Sequence, residues 1–271
     1  MNKIILILFL SFFSISNLFS QTIEFGALGG GSYYIGDLNP GKHFLLTKPA
    51  YGIIARYVIN DRLALRLNVL RGKVEGDDAI SKFIESRQLK FESGITDIGA
   101  QFEFNFLNYF TGSKNNFVTP YFFAGVSVVL FNPKADGIRL QPLGTEGQND
   151  TSALFINRKP YKLSSFTIPF GFGVKYSLSN KIGLGFEWGI RKTFTDYLDD
   201  VSTTYYLVGS RINPDIPEEY LSDPAMDHDK LMQRGNSKNN DWYVFTGFTI
   251  TYKINLSKQT GCSDFQKKSG Y

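Results

Sequence analysis

An all-β fold, a transmembrane antiparallel up-and-down barrel of about eight strands, is what this sequence predicts, on three observations. Apolar residues alternate with polar or small ones at period two along nearly the whole chain. In a strand such alternation places one class of side chain on each face. Most of the alternating runs are about ten residues or longer, the length a tilted strand needs to cross an outer membrane and well beyond an ordinary soluble strand. Connections between runs alternate strictly between short and long. That asymmetry belongs to transmembrane barrels, whose periplasmic turns are short and extracellular loops long; a soluble sandwich has no reason to sort its loops this way.

Taken from the N-terminus, Lys3 precedes the apolar run Ile4 to Phe13, and polar and small residues lead to Phe19-Ser20-Gln21. This reads as a secretory signal over residues 1–20, cleaved near Ser20, because the apolar run is too short for a membrane-spanning helix. No cysteine sits at the cleavage point to carry a lipid anchor. Residues 21–256 are assigned to the barrel and 257–271 to a periplasmic tail. The first two strands are read at Ile23 to Tyr34 and Tyr51 to Ile59, followed by Leu63 to Val69 and Asp97 to Phe106. The second half holds Thr119 to Phe131, Ser165 to Leu178, Lys181 to Arg191 and Trp242 to Ile254. The run from Lys181 is the purest: Ile182, Leu184, Phe186, Trp188 and Ile190 share one face, and Gly183, Gly185, Glu187, Gly189 and Arg191 the other.

Asn60-Asp61-Arg62 and Ser179-Asn180-Lys181 have the Asn and Asp chemistry of tight turns. A third short link spans Leu107 to Val118. The long connections cover 35–48, 72–91, 132–163 and 195–240. Two strand-like fragments inside them, Ser152 to Ile156 and Thr203 to Val208, are either extensions above the membrane or an extra hairpin; eight strands is the expectation.

Composition narrows the function. The 25 Phe, 15 Tyr and 26 Gly suit a sheet whose rings cover a surface. The single cysteine, Cys262, allows no intramolecular disulfide and no thiolate metal site. A net charge of +4, evenly spread, gives no footprint for nucleic acid. Only His43 and His228 are available for acid–base work, both in long loops. Asp223, Asp227, His228 and Asp229 form an acidic group whose spacing matches no calcium loop, so it reads as a solvated face. The glycines at 171, 173, 183 and 185 fall on the small face of strands with no helix following, which makes them lumen packing rather than phosphate loops. No catalytic constellation, cofactor or metal site is expected.

The inward face collects Glu24, Asp97, Glu103 and Glu187 against Arg56, Arg66, Lys175, Arg191 and Lys253. An eight-stranded barrel is just wide enough for side chains to fill. These charges are therefore expected to pair into a polar plug, in preference to a gated path or a catalytic carboxylate pair, since an unpaired buried charge costs several kcal/mol. Tyr57, Tyr109, Phe110, Tyr121, Tyr176, Trp242, Tyr243 and Tyr252 are expected at the membrane interfaces, in contact with outer-membrane lipids. The tail, with Lys258, Cys262, Lys267 and Lys268, is either an unstructured end or a docking peptide.

The run Glu24-Phe25-Gly26-Ala27-Leu28-Gly29-Gly30-Gly31-Ser32-Tyr33-Tyr34-Ile35-Gly36-Asp37-Leu38-Asn39-Pro40, continued by Pro49-Ala50-Tyr51-Gly52, resembles the opening of the PorG-like outer-membrane proteins of Bacteroidota. With the length and barrel plan, the resemblance spans most of the mature chain. It implies a small OmpA-like barrel associated with the type IX secretion system, accompanying a periplasmic ring made of a lipoprotein and its partner. It supplies no catalytic residue. A docking role would fall to positions facing the periplasm: Leu107 to Val118, with Asn115 and Asn116; Ser179 to Lys181; and the tail with Lys258, Cys262 and Lys267. Two other readings compete. One is a stand-alone adhesin or receptor working through its long loops; the other is a lipid-modifying enzyme using His43 or His228.

Overall fold

A computed structural model describes residues 22–256. Residues 1–21, with the expected signal segment, and the tail beyond Leu256, including Lys258, Cys262 and Lys267, lie outside the described residues. Eight long strands make the wall: β1 (Thr22–Ile35), β2 (Lys48–Val58), β3 (Leu63–Asp77), β4 (Lys90–Asn105), β5 (Val118–Leu130), β8 (Ser164–Ser177), β9 (Ile182–Thr193) and β10 (Trp242–Asn255). A two-rung hairpin, β6 (Pro133–Ala135) with β7 (Ile138–Arg139), stands above the wall and pairs with the upper end of β4. Each wall strand pairs antiparallel with its sequence neighbours. β1 closes the ring on β10 from Thr22↔Asn255 to Ile35↔Trp242, and β3 meets β4 from Leu63↔Phe104 to Asp77↔Lys90. The fold is a closed eight-stranded antiparallel barrel, as the alternation predicts. Neither Ser152 to Ile156 nor Thr203 to Val208 joins the wall. The first is a run of turns and the second makes one isolated bridge, Thr204↔Gln233.

The wall is apolar outside. Leu67, Phe102, Phe172, Phe248 and Ile250 all point outward and are exposed, because the surface they cover is meant for lipid rather than water. The outward face of β3 marks where that surface ends: Leu65, Leu67 and Val69 are followed by Arg71, Lys73 and Glu75. Above that line β3 and β4 continue for several residues, so the second loop is only 78–89, shorter than the 72–91 expected. There the alternation inverts. Inward positions become apolar (Leu70, Val74, Phe91, Ile95) and outward ones charged, as in a soluble protein.

The four long connections, 36–47, 78–89, 131–163 and 194–241, all leave the same end of the barrel. They fold together over it as a cap. Leu38, Leu89, Leu140, Leu198, Val201 and Leu221 from these loops join Leu70, Val74, Phe91 and Phe245 of the upper wall in one buried core. Interior and cap are thus a single hydrophobic unit above a polar lower lumen.

Candidate functional site

In the lower lumen one carboxylate organises the charges. Glu103 on β4 accepts from Arg56 Nε at 2.7 Å and Lys175 Nζ at 2.6 Å, and lies 3.3 Å from Arg66 Nη1. Arg56 and Arg66 are directly opposite each other in the β2–β3 register, an unfavourable like-charge pair that Glu103 between them offsets. The outer arms complete the set. Arg56 Nη1 donates to Glu24 at 2.6 Å, Arg66 Nη1 to Glu187 at 2.5 Å, and the Tyr121 hydroxyl to Glu187 at 2.8 Å. All these groups are buried, so the charges are balanced by contact instead of by water. Inward glycines make room for the rings beside them: a methyl at Gly171 or Gly189 would run into Phe123.

A stopper closes the lower mouth. The connection after β4 turns inward, Thr111 Oγ1 donates to Glu24 at 2.5 Å, and Lys253 Nζ donates to the Thr111 carbonyl. Gly112 allows this turn: its φ is +95°, and a Cβ there would lie 2.6 Å from the Asn180 carbonyl.

Six of the nine expected lumen residues therefore form one network: Glu24, Arg56, Arg66, Glu103, Lys175 and Glu187. Three depart from the expected pairing. Lys253 binds a carbonyl and no carboxylate. Asp97 sits higher, among neutral donors, and accepts from Tyr243 at 2.5 Å, Ser127 at 2.8 Å and Asn68 at 3.2 Å. Arg191 lies over the Phe245 ring at 4.9 Å and donates to the Gly189 carbonyl, because its neighbourhood is already the apolar upper interior. The aromatic expectation also needs correction. Tyr109, Tyr121 and Tyr243 point inward and are buried, whereas Tyr57, Tyr176 and Tyr252 lie on the outer wall. Of the proposed docking positions, Asn115 and Asn116 are exposed on the stopper's outer side.

The cap is tied together by buried polar groups that period-two reading of strands cannot find. Arg87 in the second loop holds Asp78 through two bonds of 2.8 and 2.7 Å, and donates to the carbonyls of Arg234 and Asp37. Glu146 in the third loop accepts from the amides of Ser202 and Thr203 and from Arg234 Nη1 at 3.1 Å. Asp37 accepts from the Asn236 amide at 2.8 Å. At the base, the Tyr34 hydroxyl contacts both Asp199 and Asp241. One hydroxyl carries one proton, so the second contact is a hydrogen bond only if one carboxyl is protonated. Gly36 is required here: a Cβ would collide with both Tyr34 and Asp241. The run that carries the family resemblance, through Tyr34, Gly36, Asp37 and Leu38, is thus the seam that fastens cap to barrel.

Four buried or half-buried carboxylates of the cap, Asp37, Asp199 and Asp241 together with Asp196 of the fourth loop, have no cation within ion-pair distance among the described residues. Burial pushes all four up; Asp196 reaches about 8, with Asp37 and Glu146 adding to the shift. Asp200 rises to about 6 through burial, moderated by Arg234. The acidic group singled out in the sequence separates: His228 bonds Asp223 at 2.8 Å and stacks on Tyr205 at 4.3 Å, while Asp227 and Asp229 are exposed. His43 reaches the Tyr33 hydroxyl at 3.1 Å. A cavity of about 470 Å³ opens on the cap between the second loop, the β6–β7 hairpin and the helix Pro217–Ser222.

A closed barrel with an apolar outer belt, a filled lumen and its long loops at one end is an outer-membrane β-barrel. The chain belongs to the family described as a domain of unknown function, DUF6089, whose model matches residues 2–205 and 218–263. No curated protein matches it. Among solved structures it is similar to Ail, the attachment invasion locus protein of Yersinia pestis, at 8% identity, covering 87% of this chain and 99% of that one with a TM-score of 0.44. It is similar to Neisserial surface protein A at 12% identity, with 88% and 97% covered and a TM-score of 0.43. It is also similar to the N-terminal β-barrel domain of OprF from Pseudomonas aeruginosa, at 11% identity, with 87% and 99% covered and a TM-score of 0.40. The barrel class rests on the strand pairing itself.

Proposed function

We propose that this protein is a structural, non-conducting barrel of the type IX secretion system, which anchors or positions a periplasmic ring lipoprotein and its partner beneath the outer membrane. The observation that carries the structural half is the Glu103-centred plug under an apolar core: a lumen filled at two levels suits an anchor and leaves no room for a transported substrate. The secretion half rests on the resemblance of Glu24 to Pro40. In this reading the signal segment delivers the chain to the periplasm, and neither catalysis nor a cofactor is involved. Docking falls to the exposed side of the stopper at Asn115 and Asn116 and to the tail with Lys258, Cys262 and Lys267.

Affinity purification from native outer membranes in mild detergent tests it. Recovery of a ring-forming lipoprotein and its partner, lost on removing 257–271, is the expected result, together with loss of type IX cargo export on gene deletion. Normal export in the deletion strain would sink the proposal.

One observation favours a second reading, a surface barrel acting as adhesin or receptor. The outward loops form a packed cap with a cavity, a larger investment than an anchor needs. Recovery of the barrel alone, with surface attachment lost on trimming 132–163 and 195–240, would select it.

A further inference from the structure

The outer wall is not evenly covered. Across β8, β9 and β10 the lipid-facing rings stand side by side, Phe172 5.4 Å from Trp188 and Phe186 5.2 Å from Phe248. Across β2 to β5 the cover is thin. Ala55, Leu67, Ala100 and Val126 lie opposite one another in successive registers, so an alanine flanks the leucine on either side. The result is an apolar groove of about 690 Å³, with Phe25 towards one end and Phe166, 71% exposed, towards the other. The outside of a small barrel is convex, and it is hollowed here because the two alanines leave the space between their larger neighbours open.

The head of the groove is polar. One outward step above Val69 on β3 stands Arg71, directly opposite Tyr51 of β2 and Thr96 of β4. All three fall on the outward face of their strands. A phenol, a guanidinium and a hydroxyl thus form one row, with neighbouring side chains about 5 Å apart at their bases. None of the three side chains has a hydrogen-bond or ion-pair partner among the described residues. The cations above them on the same strands are engaged: Lys48 with Glu75 at 2.5 Å, Lys73 with Glu92 at 3.5 Å and Lys90 with Asp136 at 2.7 Å. Val69 and Leu67, which line the groove, lie about 7 and 13 Å below Arg71 along the strand. The lipid-facing band of such a barrel is about 25 Å tall, so the groove falls in the half next to the long loops, which is the outer leaflet.

We propose that this groove seats the acyl chains of an anionic outer-leaflet lipid whose phosphate monoester head is held by Arg71, Tyr51 and Thr96. A phosphate monoester offers three acceptor oxygens and nearly two negative charges to a planar guanidinium fork and two hydroxyls. Its chains leave the head at the level where the groove begins. A head that ends in an ammonium suits the row less well, because it brings a second cation beside Arg71. A second copy of this chain is a poorer occupant for the same reason. Two barrels inserted the same way round meet about an axis along the membrane normal, which sets Arg71 against Arg71. The proposal goes beyond the secretion reading and does not rest on it.

The test is native mass spectrometry of the full chain in mild detergent, titrated with phosphatidic acid, phosphatidylcholine and diacylglycerol that share the same dioleoyl chains. The expected result is saturable binding of a single phosphatidic acid, about fivefold tighter than phosphatidylcholine, the size of one partly exposed charge pair. Diacylglycerol should bind more weakly still. Arg71→Gln, a change at an exposed position, should remove the preference for phosphatidic acid over phosphatidylcholine. Ala100→Phe, and independently Ala55→Phe, fills the groove from the outward face and should weaken binding of all three lipids. Lys192→Gln, at an exposed cation on β9 away from the groove, should bind as the wild type does. Excess glycerol 3-phosphate should displace nothing, because a head without chains leaves the groove unfilled. Equal affinity for phosphatidic acid and phosphatidylcholine, a preference that survives Arg71→Gln, or wild-type binding by both groove-filling variants would overturn the proposal. Displacement by glycerol 3-phosphate would overturn it in favour of a free phosphate site. A dimer that Ala100→Phe dissolves while lipid binding is unchanged would overturn it in favour of a second copy.

Discussion

Glu103 is the side chain on which the lower barrel depends, because three cations lean on one carboxylate. Glu103→Gln keeps the shape and leaves Arg56, Lys175 and Arg66 facing one another without it. Breaking one partner of a buried ionic set costs about 3–5 kcal/mol, and urea unfolding followed by tryptophan fluorescence should show a loss of that order. Glu24→Gln should cost less, since Glu24 serves only Arg56 and Thr111. The cap acids act in the opposite direction with pH. Their folded pKa values lie above those of the unfolded chain, so the folded cap binds more protons and its stability falls as pH rises from the unfolded values through the folded ones. The loss therefore begins near the unfolded aspartate value of about 4, is steepest up to about pH 6 while Asp200 and Asp196 both hold protons in the folded cap, and continues to about pH 8 through Asp196. Trypsin cleavage at the exposed Arg211 and Lys230, normalised to an unstructured peptide, should accelerate across that interval, and Asp196→Asn should flatten the rise.

Strand β3 shows how a single element serves two solvents. Its outward residues Leu65, Leu67 and Val69 face hydrocarbon, and Arg71, Lys73 and Glu75 face water. Leu67→Arg should therefore destabilise the barrel by about 2–4 kcal/mol, the cost of a charge deep in the lipid-facing band. Lys73→Ala, an exposed change, should stay within about 0.5 kcal/mol. Unfolding in lipid vesicles distinguishes the two, and equal costs would place the membrane boundary elsewhere. This strand also marks the limit of what the sequence reveals. Period two identifies a strand without saying which face is wet, so Leu63 to Val69 was legible, while the extension to Asp77 was not: there the apolar residues move to the inward positions and the pattern changes phase. The same blindness put Tyr121 and Tyr243 at the membrane interface, since a tyrosine near a strand end reads alike whether it faces headgroups or the lumen. The Glu24, Arg56, Arg66, Glu103, Lys175 and Glu187 network was legible because charges on an inward face have few partners to choose from. The cap was not, because Arg87, Glu146 and Arg234 are far apart in sequence and meet only when four irregular loops fold together.

The barrel as a whole is closed twice, by different physics. Below, a salt-bridged plug and the Thr111 stopper fill the lumen; above, Leu70, Phe91, Ile95 and Phe245 meet the underside of the cap in a buried apolar core. An apolar constriction excludes ions by dewetting, whatever the state of the charges beneath it. The two seals are therefore independent. The intact protein in a planar bilayer should carry no steady current. Replacing Arg66 and Glu103 by alanine opens the lower lumen while the apolar core still blocks it, so current should stay absent. Replacing 196–240 by a short Gly-Ser link removes most of the cap and bares the upper core, but the plug remains; current should again stay absent, while binding of an apolar fluorescent dye rises. Only the combination should conduct. Current from the cap deletion alone would show that the Glu103 network is a framework through which ions pass, and the barrel would then have to be read as a gated path whose lid is the cap.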